Sequence, residues 1–203
     1  MATVPSKVIV ITGSNRGLGR EFVEQFLFTP TPPHILLTKE HFCNDDYTVV
    51  GCSRNIDQTQ VDELNTKLSD FNAKNNSNRR FVPFQCDVTN IEQIKGLAEM
   101  IKTKLNARVD ILVANAGVAE QAAFSVAKSI TTFDADIDHV FRVNSVAPVV
   151  LTNHLAPFLI EAAQSVATAH GVELPTAPAD KKDTHTTLFS QCAYVSSIMG
   201  SIA

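Results

Sequence analysis

Three glycines, Gly13, Gly17 and Gly19, fall within one short run, KVIVITGSNRGLG, from Lys7 to Gly19. Glycine lacks the Cβ atom that would hold an anion away from the backbone. A helical pattern follows directly, with Phe22, Val23, Phe26 and Leu27 on one face. The first turn of such a helix offers unpaired N–H groups and a partial positive charge. Loop and helix start together can cradle a pyrophosphate. Arg16 lies inside the loop, and Arg54 follows the apolar segment Tyr47–Cys52. Guanidinium groups in these places can pair with a further phosphate; the alternative is that both are solvated surface charges.

A glycine loop has this meaning only between a strand and a helix. Val8, Ile9, Val10 and Ile11 form a continuous β-branched run, as in a strand buried on both faces of a parallel sheet. Pro30, Pro32 and Pro33 end the first helix. His34–Thr38 and Tyr47–Cys52 both read as a second strand. The latter is preferred because Ser53-Arg54-Asn55 follows it and resembles the end of the second strand in a known family of dinucleotide-binding proteins, which makes Leu37–Asp46 an insertion. Val61, Leu64, Leu68 and Phe71 recur at helical spacing over Gln58–Asn72. Lys74–Arg80 reads as a polar loop whose positive charges are solvated. Phe81–Cys86 and Asp110–Ala114 read as the third and fourth strands, with a helix over Ile91–Leu105 that Asp87 can cap. A long helix runs from Phe133 to Ala163, Ala167–Thr187 is a polar loop, and Cys192–Ser197 is a fifth strand. The expected fold is α/β, a Rossmann-type doubly wound parallel sheet of about five strands in the order 3-2-1-4-5, as one domain over residues 1–203.

Four pieces occur in order: TGSNRGLG at Thr12–Gly19, Asn115-Ala116-Gly117 closing the fourth strand, F-x-V-N-S-V-A-P around Asn144, and SSIMGSI from Ser196. Together they resemble the short-chain dehydrogenase/reductases. NRGLG, P-x-P-P after the first helix and SSIMGSI are most similar to the sniffer and C-factor-like NADPH-dependent carbonyl reductases. The resemblance implies hydride transfer between NADP(H) and a small-molecule carbonyl or alcohol substrate. It implies that Gly13, Ser14, Asn15, Arg16, Gly17, Leu18 and Gly19 hold the cofactor. Arg54 would accept a 2′-phosphate where an Asp or Glu would select the free ribose hydroxyl. Asp87 and Val88 would contact the adenine; Asn115, Ala116 and Gly117 would line the cofactor, with Asn115 supporting the sheet. Asn144, through a held water, and Ser197, through the substrate carbonyl, would be catalytic, with Ser196 the weaker candidate. On the residues alone, Asn144 can instead be a satisfied polar group on an apolar helix face.

In that family a tyrosine gives the proton and a lysine tunes it, in a Y-x-x-x-K motif after the serine. The 203 residues hold no such motif; Tyr47 and Tyr194 are the only tyrosines. A general acid contributes roughly 10²–10⁴-fold. The chain is therefore expected to be C-terminally incomplete and nearly inactive alone, with its fifth strand an uncovered edge. An inactive NADP(H)-binding sensor or interaction protein is the alternative.

The net charge of −4 gives no reason to expect nucleic acid or an anionic membrane as partner. No uninterrupted apolar run approaches the ~20 residues of a span, and residues 1–6 lack a signal-peptide shape, so a cytoplasmic protein is expected. Cys43, Cys52, Cys86 and Cys192 are scattered, as free buried thiols are. The histidines lack metal spacing, and Asp134, Asp136 and Asp138 suit a helix start better than a calcium loop, so no metal is expected. A full-length form could be a homo-oligomer.

Overall fold

A computed structural model describes residues 7–29, 47–119, 137–169 and 191–194. Five parallel strands form one sheet in the order β3-β2-β1-β4-β5. They are β1 (Lys7–Thr12), β2 (Tyr47–Ser53), β3 (Arg80–Gln85), β4 (Ile111–Ala114) and β5 (Gln191–Tyr194). The expected order and the choice of Tyr47 as the start of β2 both hold. Helices α1 (Gly17–Phe28), α2 (Gln58–Asn75) and α3 (Ile91–Lys104) join the first four strands. Another helix, α4, runs continuously through helical residues 137–141, a π-helical turn Arg142–Val146, and Ala147–Ala169. It continues beyond Ala163, the end expected from its sequence.

The period-2 geometry of β1 builds two cores. Val8 and Val10 face one side with Val50, Cys52 and Leu112, against Ile94, Leu97 and Ile101 of α3 and Leu151 and Leu155 of α4. Ile9 and Ile11 face the other side with Val49 and Val113, against Val23 and Leu27 of α1 and Leu64 and Leu68 of α2. These β1 residues are no more than 2% exposed, so the strand reads as unbroken apolar sequence. β3 stands at the edge and pairs only with β2, which lets it carry Pro83 opposite Gly51 without a lost ladder bond.

Two buried arginines brace this frame. Asp110 completes the start of β4: its N–H donates to the Val8 carbonyl, and its Oδ2 accepts from the Val8 N–H at 2.8 Å. The Arg108 guanidinium pairs with the same carboxylate through two nitrogens and reaches Ser165 Oγ on α4. Arg79 corrects the reading of residues 74–80 as a solvated loop. It is 2% exposed, donates to the carbonyls of Phe26, Leu27 and Thr29 at the end of α1, and lies over the rings of Tyr47 and Phe71. Orphan carbonyls at a helix end attract a cation, and aromatic faces shield its other side.

By length and composition alone, a window within Ile137–Thr168, of mean hydropathy 1.4, is apolar enough to cross a membrane, a test that core helices also pass; Leu151 and Leu155 of this helix are buried in the core. Scattered polar residues such as Arg142 and Asn144 hide it from a search for unbroken apolar runs. The insertion Leu37–Asp46, Cys43, Asp134, Asp136, Ser196 and Ser197 lie outside the described residues. Cys52 and Cys86 are free and buried, as expected. Among the described residues no group of His, Cys, Asp and Glu could hold a metal ion.

Candidate functional site

Beyond the C-terminal ends of β1, β2, β3 and β4 lies a cavity of about 520 Å³. This is within the usual range for a small-molecule site. Gly13, Asn15, Arg16 and Gly17 form one wall, Arg54 another, Asp87 and Val88 a third, and Asn115, Ala116 and Gly117 a fourth. Ten of the residues singled out from the sequence thus meet around one space.

The loop has its shape because of its glycines. Gly13 and Gly17 take φ of +68° and +57°, in the left-handed region. At Gly19 the reason is contact: a Cβ there would stand 2.1 Å from the Gly13 carbonyl oxygen. The side chains of Asp57 and Asn90 cap the starts of α2 and α3. Arg16, at the same position on α1, makes no side-chain cap bond. The first turn of α1 thus has no cap from its N-cap side chain, and Arg16 and Gly17 at that turn line the cavity, an arrangement suited to an anion.

Thr12 and Asn115 lock the loop to β4. The Thr12 hydroxyl oxygen accepts from the N–H groups of Asn115 and Ala116, each at 3.0 Å. Asn115 Nδ2 donates back to the Thr12 carbonyl at 2.9 Å and to that of Gly13 at 3.4 Å. This is the sheet-supporting part expected of Asn115. Ser14 and Leu18 do not line the cavity. Ser14 is buried, and its N–H and hydroxyl both donate to the Cys52 carbonyl, tying the loop to β2. Leu18 is 63% exposed. Gly19 packs behind the loop against Gly13.

Asp87 does not cap α3; Asn90 does, accepting from the N–H groups of Glu92 and Gln93. Asp87 instead accepts from the N–H and hydroxyl of Thr89. Burial pushes its carboxyl up, but these two bonds, with Arg54 and His139 nearby, hold it below the ordinary carboxylate value. It is thus an anion at neutral pH, placed to accept a hydrogen bond. Burial, then the charge of Asp87, push the Cys86 thiol up to about 11.

Asn144 sits in the π turn of α4, a distortion frequent at functional sites. Its side chain grips one residue twice: Nδ2 donates to the Val118 carbonyl at 2.8 Å, and Oδ1 accepts the Val118 N–H at 2.9 Å. Val118 lines the cavity, so Asn144 holds α4 against its rim. It is exposed, which sets aside the alternative of a core polar group. Ser53, Asn55, Cys86, Val118, His139 and Val143 also line the cavity, though the sequence reading did not select them as site residues. Ser53 and Asn55 flank Arg54, the one signal that could have found them.

A family model described as short chain dehydrogenase matches residues 37–168. The chain belongs to that family. The glycine loop of this short-chain dehydrogenase precedes the matched stretch, so the loop is identified by its geometry. An uncharacterized oxidoreductase of Saccharomyces cerevisiae is 26% identical over 151 residues, which are 74% of this chain and 35% of the relative. NADPH-bound carbonyl reductase from chicken fatty liver is 26% identical, with a TM-score of 0.55 over 79% of this chain and 54% of that one. Carbonyl reductase Sniffer of D. melanogaster is 22% identical, with a TM-score of 0.55 over 81% of this chain and 56% of that one. The chain thus spans about a third of the curated relative and about half of these solved structures.

Proposed function

We propose that this chain is the NADP(H)-binding part of an oxidoreductase acting on a carbonyl or alcohol substrate. The observation that carries the reading is the pairing of a glycine loop and an uncapped helix start with Arg16 and Arg54 on one cavity. The N–H groups of α1 suit a diphosphate. Arg54, at the end of β2, stands where a carboxylate would repel a 2′-phosphate and a guanidinium attracts it. Asp87 and Val88 flank the place of the adenine, and Asn115 to Gly117 present small residues to the rest of the dinucleotide. When bound, NADPH supplies the hydride. The residues of this chain bind and orient it; Asn144 fixes the rim through Val118. Ser197 is the residue we assign to the substrate oxygen, by its place after β5 in sequence.

The described site contains no tyrosine and no lysine along the cavity wall. The 203 residues by themselves are proposed to bind the cofactor without turning it over, the family's tyrosine and lysine being absent from them.

Fluorescence titration with NADPH and NADH tests the reading. NADPH is expected to bind more tightly, and Arg54→Glu to weaken it by roughly 10–100-fold, the worth of a charge-assisted bond. Equal or tighter binding of NADH by the unaltered chain would overturn the coenzyme assignment.

A further inference from the structure

Among the cavity residues that no motif marked, Ser53 is tied into the backbone on both sides of Arg54. It closes β2 and is buried. Its carbonyl accepts the Cys86 N–H at 2.9 Å, at the end of the β2–β3 ladder. Its hydroxyl donates to the Asn55 carbonyl at 2.7 Å. The side chain thus bridges the chain across Arg54, and all three residues line the cavity. One residue earlier, the Cys52 carbonyl accepts both the N–H and the hydroxyl of Ser14. The end of β2 is therefore fixed by the glycine loop on one side and by β3 on the other. Beyond it the support changes: residues 54–57 are exposed, so core packing does not set their backbone. The Ser53 hydroxyl reaches over that boundary.

We propose that Ser53 is a positioning residue for coenzyme choice, its hydroxyl closing the turn that holds Arg54 toward a 2′-phosphate. The inference rests on the NADP(H) reading above. An arginine that grips a phosphate gives up rotamer freedom along its whole side chain. If its backbone also moved, the phosphate would have to order both. A turn closed in advance confines the loss to the side chain. The bond is suited to this because its donor sits on a buried residue, where water competes less for it. In the same reading the diphosphate and the adenine are held elsewhere, by the glycine loop and by Asp87 and Val88. NADH, which lacks the 2′-phosphate, is then indifferent to the Ser53 hydroxyl, and NADPH is not. Alanine at this position keeps the β-carbon and removes only the donor, so it isolates the bond.

The experiment is fluorescence titration of NADPH and NADH on the unaltered chain, Ser53→Ala, Arg54→Gln and the double variant. Ser53→Ala should weaken NADPH by roughly three- to tenfold, the worth of one hydrogen bond, and leave NADH within about twofold. In the Arg54→Gln background the same change should cost NADPH less than about twofold, because the group that Ser53 positions is gone. An equal loss of NADPH and NADH in Ser53→Ala would overturn the proposal, since a general loosening of the site weakens both. A loss of NADPH that persists in full with Arg54→Gln would overturn it too, by making Ser53 a direct contact of the phosphate. An unaltered chain that binds NADH as tightly as NADPH would overturn the NADP(H) reading itself, which separates the two failures. The thermal midpoint of each variant guards against loss of fold. Ser53→Cys, close in size and a weaker donor, takes the place of Ser53→Ala in the same cycle if the latter does not fold.

Discussion

Gly19 makes the sharpest demand of any single residue. A methyl group there would overlap the Gly13 carbonyl, which is backbone and has no rotamer to turn aside. Gly19→Ala should therefore push the loop off the helix start. We expect a loss of roughly 1–3 kcal/mol, as for overpacking, and NADPH binding weakened beyond detection. Urea unfolding measures the first and fluorescence titration the second; unchanged affinity would contradict the close packing described. At this scale the sequence was readable where chemistry needs a rare residue type. Glycine, asparagine and arginine in fixed order marked the loop, Asn115 and Arg54. It was unreadable where a common residue has an uncommon setting. Arg79 has the composition of a surface charge, and only the meeting of α1, β2 and α2 around it makes it a core residue. His139 sits in a stretch where nothing in the spacing points to the cavity.

The elements were legible because their periods were clean. β1 and β2 are buried on both faces, and β1 reads as an unbroken apolar run from Val8 to Ile11; α2 and α3 carry one apolar stripe each. Misread were the helix cap, which fell to Asn90 three residues after Asp87, and the end of α4. Both are boundary features: the first is decided by which of several adequate residues turns toward the free N–H groups, the second by where the last turn frays. The joint between β1 and β4 rests on one carboxylate that serves the Val8 N–H and the Arg108 guanidinium together. Asp110→Ala leaves a buried arginine without that partner and the Val8 N–H without an acceptor. Removing one member of a buried pair costs about 3–5 kcal/mol. A drop of that size in the urea-unfolding free energy, with Arg108→Ala giving less than an additive further loss, is the expected result.

For the molecule as a whole, the two buried thiols link stability to alkaline pH. Burial, and then each neighbouring charge, raises Cys86 to about 11 and Cys52 well above its ordinary value. The folded state thus prefers the protonated thiols. Their contribution is complete below the unfolded thiol range of roughly 8.5–9 and is lost as pH rises toward 11. The urea midpoint should fall between pH 8 and pH 10.5, and fall less in Cys86→Ala. An equal fall in both would remove Cys86 from the account. The fold class was the most legible property of all, because a strand–glycine–helix start followed by alternating strands and helices leaves few sheet orders open.

That sheet order has a consequence during synthesis. β1 is made first but sits between β2 and β4, and about a hundred residues separate its end at Thr12 from the start of β4 at Ile111. At about 5–20 residues per second, a ribosome needs roughly 5–20 s to deliver the missing neighbour. For that interval the nascent chain presents the central strand with one side unpaired. Slower translation ahead of β4 would prolong the exposure, so codon choice between α2 and β4 bears on the yield of folded protein.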